Sequence, residues 1–207
     1  IAYLFALLCR MEWVLWAGGY SDFIWNNQLM ISTNDGYAYA EGARDMIAGF
    51  HQPNDLSYYG TSLSTLTFLL CKVLPFSLET IMVYLSVFLA SLIVVPMILI
   101  GKEFGDAKPF FVASLIASIA NSYYNRTMAG YYDTDMLVIV LPLFVIWGII
   151  RLHFKGDLVS FLIISLSMLA YNWWYPSSYT LCVAMTIFYA LYTIVFERKN
   201  LRNYQAI

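Results

Sequence analysis

Residues 121–136 read NSYYNRTMAGYYDTDM. The stretch lies between two apolar runs, 109–120 and 137–150, each long enough to enter a bilayer. It carries Arg126 and two carboxylates, Asp133 and Asp135, with one residue between them. Carboxylates are rare at the edge of a membrane, because removing water from a charge is costly. Two together at such an edge point to a cation or a charged substrate. We read this loop as half of a metal site, which the rest of the chain holds at one membrane face.

Composition sets the frame for that reading. The 207 residues are 61% hydrophobic and 12% charged, with a mean hydropathy of +0.67. Soluble domains carry roughly 25% charged residues, so the chain reads as an all-α, polytopic membrane helix bundle. Aromatic residues make up 18%, with 17 Tyr and 6 Trp, types that favour membrane–water interfaces. The net charge of −2 is too small to bear on nucleic acid, and nothing reads as a basic patch, so no nucleic-acid partner is expected. Cys9, Cys71 and Cys182 are far apart in apolar surroundings and show neither zinc nor disulfide spacing. The chain begins with Ile1, already apolar, and is expected to be a piece of a longer polypeptide.

Reading outward, six spans are expected, at about 1–17, 78–101, 109–124, 136–151, 158–173 and 178–196. The first contains Arg10 and Glu12, flanked by Trp13 and Trp16 as interfacial anchors. A long external loop, 18–77, follows it and carries short helices. Within the loop, 34–48 (NDGYAYAEGARDMIA) has the Ala-rich body of a helix, with Asn34 or Asp35 available to cap it. Pro53 and Gly60 break that pattern, and 61–73 has an apolar stripe suited to a membrane surface. Pro96 is expected to kink the second span. The uncharged run from 158 to 196 is too long for one span, and WWYPSS at 173–178 splits it into a hairpin.

Charge sets the orientation. Lys102, Lys108, Arg151, Lys155, Arg198, Lys199 and Arg202 fall in turns on one side, while the loops of the other side hold only Arg44, Lys72 and Arg126. The positive-inside rule makes the first side cytoplasmic. The long loop, the DTD loop and the WWYPSS turn then share the opposite face. That places Asp35, Asp133, Asp135, Arg126 and Tyr175 on one side of the membrane. Oxygen-only ligands of this kind select Mg²⁺ or Mn²⁺, and a cation beside an arginine suits a phosphate or pyrophosphate leaving group. A D-x-D pair is also compatible with a solvated loop, and Arg126 with a salt bridge that orients that loop. His51 and His153 receive no role. Asn125-Arg126-Thr127 matches a glycosylation acceptor but reads as structural, and Tyr123–Tyr124 and Tyr131–Tyr132 read as an interface belt.

Three stretches carry a resemblance: NNQLMISTNDGYAYAEGARDMIAGFHQPNDLSYYG, NSYYNRTMAGYYDTDMLVIVLP and WWYPSSYT. They resemble the bacterial single-subunit oligosaccharyltransferases, relatives of the catalytic subunit of the eukaryotic oligosaccharyltransferase complex. The resemblance covers essentially the whole chain. It implies a transmembrane domain of the GT-C glycosyltransferase type in the cell inner membrane, with its active-site loops on the periplasmic face. It also implies transfer of an oligosaccharide from a lipid-linked, polyisoprenyl-pyrophosphate donor to the side-chain amide of Asn in an N-x-S/T sequon of an acceptor polypeptide. By that resemblance Asp35 and Asp133 bind the divalent cation, Asp35 contacts the acceptor amide, and Asp135 supports the metal site. Arg126 stands beside the catalytic carboxylates and helps hold the acceptor, and Tyr175 lies near the donor pyrophosphate. Two family features, a WWDYG sequon-reading motif and a further catalytic Glu, are expected beyond Ile207, so the fragment alone is expected to be inactive. Another polyprenyl-phosphate-dependent glycosyltransferase, or a polytopic transporter, are the competing classes.

Overall fold

The apolar runs fold as helices in the computed structural model, which describes residues 1–199. Arg202, one of the basic residues used for orientation, lies outside the described residues. By packing, the chain divides into two units. One comprises residues 1–94 and 115–136, and the other comprises 95–114 and the chain from 137 onward.

In the first unit, α1 (Ala2–Cys9) and α2 (Glu12–Ala17) are separated by a turn at Arg10 and Met11. A two-stranded antiparallel hairpin follows, β1 (Ile24–Trp25) and β2 (Gln28–Leu29). Its turn residues Asn26 and Asn27 both have positive φ, 49° and 60°, as the tightest hairpin turns require. Then come α3 (Asn34–Ala48), α4 (Ser62–Val73) and α5 (Leu78–Ser91). The expected helix at 34–48 has the bounds given by the sequence, but its N-cap is Thr33, in extended backbone at φ −124° and ψ 136°. Asn34 and Asp35 therefore lie inside the first turn. On α4 the buried positions are Ser62, Leu63, Ser64 and Thr67, while Leu69 and Val73 face outward. Ser64 Oγ donates to Tyr39 O at 2.8 Å, so the small polar side chains of α4 lie against α3.

The second span is interrupted where its proline requires it. After α5, the chain resumes as α6 (Val94–Glu103). Pro96 has no N–H to offer the carbonyl of Leu92, four residues earlier. At the gap Leu92 N–H and Ile93 N–H turn instead to Leu89 and Ala90, both at 3.2 Å. The helices that follow are α7 (Ala107–Ser118), α8 (Asn121–Asn125), α9 (Asp135–Val138), α10 (Val140–Lys155), α11 (Leu158–Trp174) and α12 (Ser178–Phe196).

Among the described residues, three uninterrupted or nearly uninterrupted helices are long and apolar enough to cross a membrane: Leu78–Glu103, Asp135–Lys155 and Ser178–Phe196. Leu158–Trp174, Ala107–Ser118 and Ser62–Val73 are apolar but shorter. On α11, Leu158, Leu162, Leu166 and Leu169 form an exposed apolar row at helical spacing. Water does not favour such a stripe, whereas lipid does.

In the second unit α10 meets α11 at Gly148, whose missing Cβ would sit 2.7 Å from Ile164 Cγ1. Glu103 is the polar centre here, with its side chain only 6% exposed. It takes Lys155 Nζ at 2.8 Å, Arg151 Nη1 at 3.3 Å and the Trp147 indole N–H at 3.4 Å. Arg151 reaches on to Asp157 at 2.7 Å, and Asp157 caps α11 through Ser160 N–H at 2.9 Å. Removing one member of a buried ion cluster leaves its partners uncompensated, typically at a cost of 3–5 kcal/mol. Arg151 and Lys155 are partly exposed, so Glu103→Ala is expected to fall at the low end, about 3 kcal/mol. Thermal denaturation of the purified chain in detergent checks this, and an unchanged midpoint would mean the cluster is idle.

Candidate functional site

The DTD loop is irregular backbone, so each polar group in it needs a partner. Among its buried neighbours, the structure supplies them from three directions. Ala129 N–H donates to Arg10 O and Gly130 N–H to Val83 O, both at 2.8 Å. Ser86 Oγ donates to Met128 O, and Ser32 N–H to Gly130 O, again both at 2.8 Å. The turn between α1 and α2, the body of α5 and the strand-like lead into α3 thus hold one loop. Gly130 has φ +80°, and a Cβ there would lie 2.6 Å from the Trp13 ring, so no side chain fits.

Arg10 is fully buried and braces the same loop by its side chain. Nε donates to Thr127 Oγ1 at 3.2 Å, Nη1 donates to Ala6 O at 3.0 Å, and the guanidinium lies 5.2 Å from the Tyr123 ring centre. Thr127, third residue of the NRT triplet, is buried, and its hydroxyl donates to Tyr123 O at 2.6 Å. That threonine is committed to the loop, as the structural reading of the triplet requires. Tyr132 is buried too, with its hydroxyl hydrogen-bonded to Thr67 of α4. Burial pushes the Tyr132 hydroxyl above its ordinary pKa, so it stays a neutral link between α4 and the loop.

Asp133 comes next and is 9% exposed. Its Oδ1 accepts from the Thr134 backbone N–H and, at 3.2 Å, from the Thr134 hydroxyl. Asp35 is exposed in the first turn of α3, beside Gly36. A Cβ on Gly36 would stand 2.7 Å from the carbonyl oxygen of Tyr132. The residue after Asp35 therefore touches the residue before Asp133. Tyr39, one turn along α3, senses both. Burial first, and then the charge of Asp133, push its hydroxyl up to about 12, with Asp35 adding a smaller push in the same direction.

Asp135 is placed differently. As the first residue of α9 it forms an ion pair with Arg126, Nε to Oδ2 at 2.6 Å. Arg126 Nε also donates to the Tyr131 hydroxyl at 3.1 Å, and that bond with the nearby carboxylate raises the guanidinium above its usual pKa. Tyr131 thus braces the loop arginine, a closer task than the interface belt expected of it. Among the described residues, Asp35, Asp133 and Asp135 are not gathered as a three-ligand set with donor atoms within 4.8 Å of one another. Tyr175, the remaining candidate, is half-buried and belongs to the second unit, where it closes α11 in extended backbone (φ −134°, ψ 118°) ahead of Pro176. The set that does meet the 4.8 Å condition is Asp45, His51 and Asp55, in the stretch that includes the role-less His51.

A family model described as oligosaccharyl transferase STT3, N-terminal, matches residues 2–207. An undecaprenyl-diphosphooligosaccharide–protein glycotransferase of Campylobacter jejuni strain RM1221 is 57% identical over all 207 residues, as is its counterpart in C. jejuni subsp. jejuni serotype O:2. A dolichyl-phosphooligosaccharide-protein glycotransferase of Methanococcus voltae is 33% identical over 92 residues, 39% of this chain and 10% of its own length. The chain spans 29% of the length of the two Campylobacter relatives.

Gly36→Ala tests the contact that sets Asp35 beside Asp133. The added methyl meets both the Ile31 Cδ1 tip and the Tyr132 carbonyl oxygen at 2.7 Å; the tip can move aside but the backbone oxygen cannot, so the first turn of α3 must retreat from Tyr132. The expected outcome is helical content close to the parent by circular dichroism, with a quenched or shifted environment for a fluorophore attached at position 35. An unchanged signal would show that α3 and the loop are not in register at Gly36.

Proposed function

The chain belongs to the STT3 oligosaccharyl transferase family, and from that premise we propose that it carries the carboxylate half of the active site of a membrane oligosaccharyltransferase. The reaction is transfer of an oligosaccharide from a polyisoprenyl-pyrophosphate donor to the side-chain amide of Asn in an N-x-S/T acceptor. Multi-pass insertion in the inner membrane, with six crossings and the DTD loop on the periplasmic face, follows from the basic turns and the positive-inside rule. The observation that carries the reading is the contact of Gly36 with the Tyr132 carbonyl, which makes neighbours of two acidic segments far apart in sequence.

An amide nitrogen is a poor nucleophile, because its lone pair is delocalised into the carbonyl. Asp35, exposed at the start of α3, and Asp133, at the loop, are suited to accept the two N–H groups of an acceptor amide. Doing so favours rotation of that lone pair out of conjugation. The nitrogen then attacks the sugar carbon opposite the departing pyrophosphate, with inversion, as the C–O bond to the pyrophosphate breaks and one N–H proton passes to an accepting carboxylate. Arg126 neutralises Asp135, holds the loop through Tyr131 and offers its remaining N–H groups to the acceptor. The donor atoms on offer are carboxylate oxygens with no imidazole or thiol beside them, and they fit a hard divalent cation such as Mg²⁺ or Mn²⁺. Bound by Asp35 and Asp133, with Asp135 behind them, it would offset charge developing on the leaving group. Tyr175 keeps the donor-side role that the family resemblance gives it.

The test uses the polypeptide that carries this chain, a lipid-linked oligosaccharide and a fluorescent sequon peptide. Asp35→Ala and Asp133→Ala are each expected to slow glycopeptide formation at least about a hundredfold, equivalent to about 2.7 kcal/mol of transition-state stabilisation. Parent-like rates in both variants would remove the proposed chemistry.

A further inference from the structure

We propose that Asp45, His51 and Asp55 form a second cation site, of the Zn²⁺ class, which ties the loop after α3 to the end of that helix. It lies at the opposite end of α3 from Asp35 and does not depend on the function proposed above.

The case begins with an electrostatic problem. Asp45 is 7% exposed and sits in the last turn of α3. A helix C-terminus is its negative pole, where a carboxylate is disfavoured. A second carboxylate, Asp55, comes from the loop, where its Oδ1 accepts from the Ser57 hydroxyl at 2.7 Å and the Ser57 backbone N–H at 3.0 Å. Two carboxylates at a negative pole call for a cation. Arg44 supplies one only in part. Its Nη2 reaches Asp45 Oδ1 at 3.1 Å and Glu41 at 3.0 Å, but its side chain is 63% exposed to water.

His51 occupies the remaining position. Its Nδ1 lies 3.6 Å from Asp45 Oδ2, 3.5 Å from Asp55 Oδ2 and 3.5 Å from Ser57 Oγ. A charge-assisted hydrogen bond from an imidazolium would be about 2.7–2.9 Å, so the nitrogen is too far from both carboxylates to be donating to either. The separation matches ligands that share an ion. Donors at about 2.1 Å from a tetrahedral centre lie about 3.4 Å apart along each edge. The ring is fixed by stacking on Tyr59, with centres 4.4 Å apart and planes at 23°. Tyr59 follows Tyr58, whose N–H is anchored on Ala38 O of α3 at 3.0 Å. One imidazole with two carboxylates selects a borderline cation over Mg²⁺ or Ca²⁺, and leaves a position for water. The carboxylates of Asp35 and Asp133, with no imidazole, have the opposite preference.

The experiment is a Zn²⁺ titration of the purified, chelator-stripped chain in detergent, read by competition with a chromophoric chelator. One equivalent is expected to bind in the parent and in Asp133→Ala. His51→Ala and Asp55→Asn are expected to weaken it at least tenfold, with circular dichroism unchanged. Mg²⁺ in thousandfold excess is expected not to displace it. The proposal is overturned if His51→Ala and Asp55→Asn titrate like the parent, which marks an adventitious ion only. It is overturned equally if uptake is lost in Asp133→Ala, which places the ion in the other acidic cluster, or if the parent takes up no Zn²⁺.

Discussion

The first unit depends on one requirement: buried non-helical backbone must be hydrogen-bonded by protein, since water does not reach it. Residues 127–134 are such backbone. Their partners are Arg10 O, Val83 O, Ser86 Oγ and the N–H of Ser32, drawn from segments distant in sequence. Each bond is modest in water but costly to leave unmade where water is excluded. The loop therefore cannot shift without stranding several groups together. Arg10 adds a buried cation that donates to Thr127 Oγ1 and Ala6 O and is softened by the face of Tyr123. Its position makes sense as a brace. It holds Thr127 by the side chain and Ala129 by the main chain, on either side of Met128.

That rigidity gives the acidic residues their separate characters. The helix α3 is docked by Gly36 on one side and by Ser64 and Tyr39 on the other, so its first turn is held while Asp35 stays open to solvent. Had Asp35 been the cap, its carboxylate would have been occupied by backbone N–H groups. With Thr33 taking the cap position, the Asp35 oxygens remain available. Asp133 is the reverse case, a nearly buried carboxylate with one oxygen steadied by Thr134. One acidic group is accessible and the other fixed, as is useful where an acceptor must enter against a rigid surface.

Much of this was legible in the residues. Periodicity and Ala content gave α3 its bounds, and Pro96 marked the interruption of the long span, although the break falls at Leu92 and Ile93, where the missing N–H is felt. The β1–β2 hairpin was not anticipated. Its turn is Asn-Asn, without the glycine that usually signals one, and its strands are two residues each. The cap at Thr33 was missed because Asn34 and Asp35 are stronger capping types on propensity, and tertiary contact with Tyr132 decided the matter. Glu103 read as one charge in a polar turn, and nothing local revealed that it gathers Lys155, Arg151 and Trp147 from α10. The Asp45–His51–Asp55 group escaped because its members are six and four residues apart across a helix end, a spacing that matches no compact motif. The family, by contrast, was carried by long blocks such as NSYYNRTMAGYYDTDM, which the match over residues 2–207 bears out.

The pairing of Arg126 with Asp135 explains why two aspartates so close together are tolerable at all. Ionised carboxylates at i and i+2 repel, and a low effective dielectric enlarges the repulsion. A fixed guanidinium 2.6 Å from Asp135 opposes that repulsion, although burial and then the charge of Asp133 still push the Asp135 carboxyl above its usual range. The sum is informative. On the proposed reading, with all three aspartates ionised, Asp35, Asp133 and Asp135 would bring three negative charges and Arg126 one positive, and one divalent cation would balance the remainder. A monovalent ion would leave the centre anionic against an approaching pyrophosphate. Losing the arginine would leave it one charge short of neutral even with the divalent ion in place. If the proposed ion binds between Asp35 and Asp133, Arg126 would set the electrostatic balance that suits its double charge, acting through Asp135.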